Sequence, residues 1–187
     1  MKTVEYVDVC DREGNTLGSS KPKREVHEQG IWHRVSHIWI VNSKGELLLQ
    51  LRSLKMTVFP GRWDISAAGH VSAGEEYIAA AVCEVKEELG LDILEKDLHK
   101  LGIVRQEIPK DNYIIRDVPM VYIVHMDHER DMSFIDGEVT ESKWIPYQEL
   151  RAIIGRNDPA YVPHPEGFKL LFNYLDDYYA KTSHRDA

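Results

Sequence analysis

The chain has 187 residues, 43% hydrophobic and 29% charged, with a formal net charge of −8 at pH 7. That length can bury a substantial core in one domain, and the acidic balance excludes a broad nucleic-acid surface. No apolar stretch approaches a membrane span, the N-terminus turns acidic too early for a secretory signal, and the distant Cys10 and Cys83 suit a reducing cytoplasm better than a disulfide scaffold.

In chain order, TVEYVDVC alternates as a strand and DREGN carries turn chemistry. KPKREVHEQGIWHR is polar and reads as irregular. VSHIWIV, the turn NSKG and ELLLQLRS predict a hairpin, and VFPGRWD is a loop that leads into the short strand ISAAGHV. The helix that follows is expected to start at the capping box Ser72–Glu75 and to stop at Gly90, with Ile78, Val82, Val85 and Leu89 as its buried stripe. LEKDLHK predicts a short helical turn; LGIVRQEI, VPMVYIVHM and EVTESKWI predict strands; YQELRAII and EGFKLLFNYLDDYYA predict helices. This mixture predicts one α/β layered domain over 1–187, with an N-terminal strand and loop extension over about 1–33 and C-terminal helices over about 146–180.

Glu84, Glu87 and Glu88 fall within about 100° of one another around the central helix. Like charges at such spacing cost a few tenths of a kcal/mol per pair. A glutamate-rich face is ordinarily just solvated. Here Ala80 and Ala81, one turn earlier, are expected to leave open space before the carboxylates. Clustered carboxylates with open space are what Mg²⁺ requires, since it takes oxygen ligands and is shared with substrate phosphates. Spacing decides between the two readings. Gly69, five residues, Glu75, eight residues, then Glu84, Val85, Glu87, Glu88, Gly90 and Leu91 resembles the Nudix box. Each fixed position has a chance frequency of roughly 7%, so six matches are very improbable by accident. One position departs: Cys83 replaces the family's Arg and cannot pair with Glu87 at i,i+4.

The resemblance implies a Nudix-type α/β/α sandwich with a mixed sheet, and hydrolysis of a nucleoside diphosphate derivative or related organic pyrophosphate. It implies Mg²⁺ or Mn²⁺ held by Glu84, Glu87, Glu88 and the Gly69 carbonyl, with Glu84 orienting or deprotonating the attacking water. Glu138, in DGEVTESKW, is expected as a further catalytic carboxylate, with Glu141 behind it. Arg34, Arg52 and Lys55 are the expected phosphate-binding residues, Arg52 first. The expected partner is a small diphosphate molecule, with no nucleic-acid polymer and no membrane; a homodimer is left open.

HEQGIWHRVSHIWIVNSKGELLLQLRS followed by FPGRWDISAAGHV is similar to the Nudix branch that contains isopentenyl-diphosphate isomerases and their hydrolase cousins. In the isomerases a cysteine before the Gly-His pair transfers protons; here Ala68 precedes Gly69 and His70. Their later Glu-any-Glu pair is met by Ile115 and Asp117. His27, His33 and His70 remain, read either as hydrogen-bonding structural residues or as a repurposed metal site. The box keeps its carboxylates, so hydrolysis is expected. Isomerase-like chemistry and nucleotide binding without cleavage are the alternatives. Trp32, Phe59 and Trp63 are read as core aromatics or as base-stacking rings.

Overall fold

The computed structural model describes residues 4–110, 113–127 and 132–183. Strands β1 (Tyr6–Cys10) and β2 (Thr16–Pro22) form an antiparallel hairpin. Its turn is closed by the Asp11 carboxylate, which accepts from the backbone N–H groups of Glu13 and Asn15 and from the Asn15 side chain. The chain then enters helix α1 (Lys23–Gln29), where the sequence predicts irregular structure. Only Val26 of this helix is buried, so no apolar stripe announces it. Gly30, at φ 59°, ends it in the left-handed conformation that a Cβ disfavours.

Strand β3 (His33–Val41) is buried along its whole length and is followed by β4 (Glu46–Arg52), β5 (Trp63–Asp64) and β6 (Ala67–His70). Helix α2 (Tyr77–Leu89) and a 3-10 turn at Glu95–Asp97 lead to β7 (His99–Ile103), β8 (Gln106–Lys110) and β9 (Tyr113–His125). Strand β10 (Val139–Pro146), α3 (Tyr147–Gly155) and α4 (Pro165–Ser183) complete the order.

The predicted hairpin of β3 and β4 holds only at its turn, at Val41↔Leu47. Beyond it β4 pairs with β10 and β5, while β3 pairs antiparallel with β6 and parallel with β9. The stretch LGIVRQEI, expected as one strand, is divided between β7 and β8, both antiparallel to β9. Between them Arg105 reaches across to the Arg12 carbonyl and the Glu13 carboxylate. Helix α2 starts at Tyr77, five residues after Ser72. Ser72 and Glu75 do make reciprocal contacts, at 3.0 and 3.3 Å, but in a turn ahead of the helix. That turn is tied to β1, because Gly74 N–H donates to Asp8.

The sheet is mixed, with helices on both faces, and side-chain alternation along β3 assigns the two cores. Ile38 and Ile40 pack with Leu48 under the Ala80, Ala81, Val85 and Leu89 face of α2. Trp39 and Val41 pack with Leu47 and Leu49 under Leu150 of α3 and Phe168, Leu171 and Leu175 of α4. Ala80 and Ala81 are therefore part of the core, not an open approach to the carboxylates, and Ile78 and Val82 are only partly buried. Their small size lets α2 lie close to β3, where Ser36 Oγ donates to the Tyr77 carbonyl at 2.7 Å. No helix among the described residues is long and apolar enough to cross a membrane.

Candidate active site

Register places Gly69 beside Ser36 of β3, directly beneath α2. A Cβ at position 69 would overlap the Glu84 carboxylate, so the missing side chain is what gives that carboxylate its seat against β6. One turn on, Glu88 is buried, and its Oε2 accepts from Ala68 N–H at 2.9 Å and from Gln50 Nε2 at 3.0 Å. Glu87 is exposed at the edge of the same cluster, and so is Cys83. Gly90, at φ 70°, stops the helix.

Burial pushes Glu84 up to about 8; Lys23 opposes the shift, and Glu87, Glu5 and Glu138 add to it. Burial and then Glu84 itself hold Glu88 well above the usual carboxylate range. Both carboxyls favour the protonated form until a positive charge arrives. Glu138 is exposed on the loop before β10; it has the smallest of these effects on Glu84, and its backbone carbonyl accepts from Ser53 N–H at 2.7 Å, at the end of β4. Lys23, at the start of α1, was missed in the sequence because α1 itself was.

The three histidines converge. Their ligand-capable atoms all lie within 4.8 Å of one another, with His27 Nε2 and His70 Nε2 at 3.0 Å. His33 Nδ1 meets the Ile31 carbonyl at 2.9 Å and so carries a proton, which leaves Nε2 as a lone pair. That atom faces Asp117 Oδ1 at 3.1 Å, and both are buried without a hydrogen-bond partner among the described residues. Burial lowers all three histidines, His27 to about 4, and raises Asp117 to about 7. Neutral imidazoles with an orphaned carboxylate oxygen fit a metal ion, and this histidine cluster adjoins the carboxylate cluster through the Gly69–His70 peptide.

The basic candidates separate. Arg34 Nη2 donates to Asp8 at 3.1 Å and to the Glu75 carbonyl at 2.8 Å, so its guanidinium braces the turn before α2. Arg52 donates to the Val58 carbonyl and to Asp64, each at 3.0 Å, and Lys55 is exposed on the loop that follows β4. Among the aromatics, Phe59 is buried against Ile115 and Val162, and the Lys143 ammonium lies 3.8 Å from the Trp63 ring centroid. Trp32 is half-buried, with the Arg12 guanidinium 5.7 Å from its ring centroid.

The family model of the NUDIX domain matches residues 32–165. The chain belongs to the Nudix family. It is 40% identical over 166 residues to Nudix hydrolase 3 of Arabidopsis thaliana, an alignment that covers 86% of this chain and 22% of that protein. The chain thus spans about a fifth of that relative's length. It is 31% identical over 171 residues to isopentenyl-diphosphate delta-isomerase 2 of Photorhabdus laumondii, covering 91% of this chain and 92% of the isomerase. The fold matches a crystal structure from Deinococcus radiodurans with a TM-score of 0.66 at 20% identity, covering 89% of this chain and 97% of the other. The Nudix fold is therefore present with its mixed sheet and flanking helices, and a Nudix domain with a metal-binding cluster is consistent with hydrolase activity.

Proposed function

We propose that this Nudix domain hydrolyses a diphosphate linkage in a nucleoside diphosphate derivative or related organic pyrophosphate, with Mg²⁺ or Mn²⁺ at the box. The observation that carries this reading is the seating of Glu84 against Gly69 beside buried Glu88, a set of hard oxygens gathered where their mutual repulsion is strong. Glu84, Glu87, Glu88 and the Gly69 carbonyl would hold the ion. When bound, it lowers the pKa of a water and neutralises phosphoryl charge.

The chain's own groups do the rest. Glu84 accepts the proton of the attacking water. Glu138, on the loop before β10, adds a further carboxylate. Arg52, Lys55 and Lys23 orient and neutralise the phosphates, and Arg34 acts from behind by bracing the turn that leads into α2. Displacement at phosphorus depends chiefly on such positioning and charge neutralisation. A cytoplasmic setting belongs to the same reading, because the thiols of Cys10 and Cys83 are both free.

A second reading, isomerase-like chemistry, is favoured by the histidine cluster with Asp117 and by the likeness to an isomerase. It lacks a thiol acid: Ala68 stands at the position that matters, and Cys10 is buried with its thiol pushed up to about 12. The histidine cluster suits an ion softer than Mg²⁺ and is read as a second, auxiliary metal site. The experiment is a panel of nucleoside diphosphate derivatives and isopentenyl diphosphate, incubated with Mg²⁺ or Mn²⁺ and followed by product NMR. Phosphoanhydride cleavage without any dimethylallyl diphosphate is the expected result. Isomerisation would transfer the case to the second reading, and tight nucleotide binding without cleavage would make the domain a binding module.

A further inference from the structure

Arg52 is one end of a buried polar network whose other members have no part in the reaction as described so far. Asp64 and His164 are only 6% and 5% exposed. Asp64 Oδ2 accepts from Arg52 Nη1 at 3.0 Å; its Oδ1 accepts from Ile65 N–H at 2.8 Å and meets His164 Nε2 at 2.7 Å. His164 Nδ1 in turn meets Gln106 Oε1 at 3.0 Å. The backbone carries the same link: Trp63 N–H donates to the Ala160 carbonyl at 2.8 Å, and Val162 N–H to the Trp63 carbonyl at 2.9 Å. The segment before α4 is thereby fastened to β5, and β5 to the end of β4. Arg52 and Asp64 both act electrostatically on Glu88, and His164 acts on Asp117, so the network bridges the two clusters.

A buried ion pair is a poor way to stabilise a fold, since desolvating both charges offsets most of their attraction. It is a good way to immobilise a guanidinium. Arg has five N–H donors in a planar fork, and in this protein the described residues take two of them, through Val58 and Asp64. The remaining donors, on a side chain that is 13% exposed, have no hydrogen-bond partner among the described residues. His164 fixes the Asp64 carboxylate plane so that Oδ2, not both oxygens, faces the arginine.

We infer that Asp64 and His164 are positioning residues that hold Arg52 as a preset fork for a substrate phosphate, with Gln106 orienting His164. This rests on the proposed phosphate role of Arg52. A fork fixed before binding loses less side-chain entropy when the phosphate arrives, so affinity depends on the network although the network touches no substrate.

The test is calorimetric binding of methylenediphosphonate, a non-hydrolysable diphosphate, to the full chain in Mg²⁺. The proteins are wild type, Arg52→Ala, Asp64→Asn, the double variant, His164→Gln and His164→Leu. Charge alone predicts tighter binding by Asp64→Asn, because a negative charge beside an anion site is removed. Positioning predicts the opposite sign, a loss of about 10-fold, and no further loss when Asp64→Asn is added to Arg52→Ala. His164→Gln retains a donor to Asp64 and stays within about 3-fold of wild type, whereas His164→Leu follows Asp64→Asn. Unchanged or tighter binding by Asp64→Asn overturns the inference, as does an equal loss in both Arg52 backgrounds, which marks a general structural defect. An unchanged affinity in Arg52→Ala instead removes the phosphate role of Arg52 on which it rests.

Discussion

Glu84, raised to about 8 chiefly by burial, keeps its proton in the folded, metal-free chain at pH values where the unfolded chain, near 4.5, has lost it. The folded state then holds more protons, and stability falls as pH rises toward 8. His27 and His37, lowered to about 4 and about 3 by burial, act in the other direction, because they bind fewer protons folded than unfolded. Their effect raises stability with pH and is complete only by about pH 7.5, a unit above the unfolded value. Between about pH 7.5 and 8 the carboxyls set the slope, whereas nearer pH 7 the loss of the Asp117 proton, at about 7, is opposed by the histidines. Melting of the chelated protein should therefore decline across that window by an amount on the order of 1 kcal/mol, and Glu84→Gln should make the decline shallower. A chelated wild type with a flat profile would show that Glu84 ionises normally. Glu88 gives a second check at the same scale. An amide imitates the protonated acid, and its carbonyl can accept from Ala68 N–H and Gln50 as Oε2 does. Glu88→Gln should melt within about 1 kcal/mol of wild type without metal, yet gain nothing from Mg²⁺ and lose at least roughly 10²-fold in turnover. A normal Mg²⁺-induced shift in that variant would take Glu88 out of the metal site.

The contact of β6 with α2 is the element on which the site depends, and Gly69 is its narrowest point. An alanine there would displace the Glu84 carboxylate, the far end of a flexible side chain, rather than the backbone. Gly69→Ala is expected to fold at a cost of about 1–2 kcal/mol and to lose the Mg²⁺-induced rise in melting temperature. Retention of that rise would mean Glu84 does not need its seat. This part of the site was legible in the sequence because Gly69, Glu84, Glu87, Glu88 and Gly90 lie close together and one helix enforces their geometry. The helix start was not. Ser72 and Glu75 make only the glutamate half of a capping box, inside a turn where Glu75 N–H donates to the Ser72 carbonyl, and that turn is tied to Asp8, far away in sequence, through Gly74. Helix α1 was equally hidden, since a helix that buries only Val26 has no period to detect. With it went Lys23, the cation that acts most on Glu84.

Across the whole molecule the sheet brings together groups that no spacing rule connects. The bonds from His164 to Asp64 and Gln106 join residues 100 and 58 apart. The His33–Asp117 contact depends on β3 and β9 being parallel neighbours, which the strand pattern alone does not dictate. The mixed α/β architecture was legible, because strand-like stretches are followed and interleaved by helical ones; the pairing partners were not, because β4 leaves its hairpin after Val41↔Leu47. The central claim is that water, activated at the carboxylate box, displaces at phosphorus. It is tested most directly by turnover of a cleaved nucleoside diphosphate derivative in ¹⁸O-labelled water with Mg²⁺, read by mass spectrometry of the products. The account predicts one labelled oxygen on a phosphoryl product, with label incorporation falling at least roughly 10²-fold in Glu84→Gln. Label in the non-phosphorylated product, or incorporation undiminished in Glu84→Gln, would contradict it.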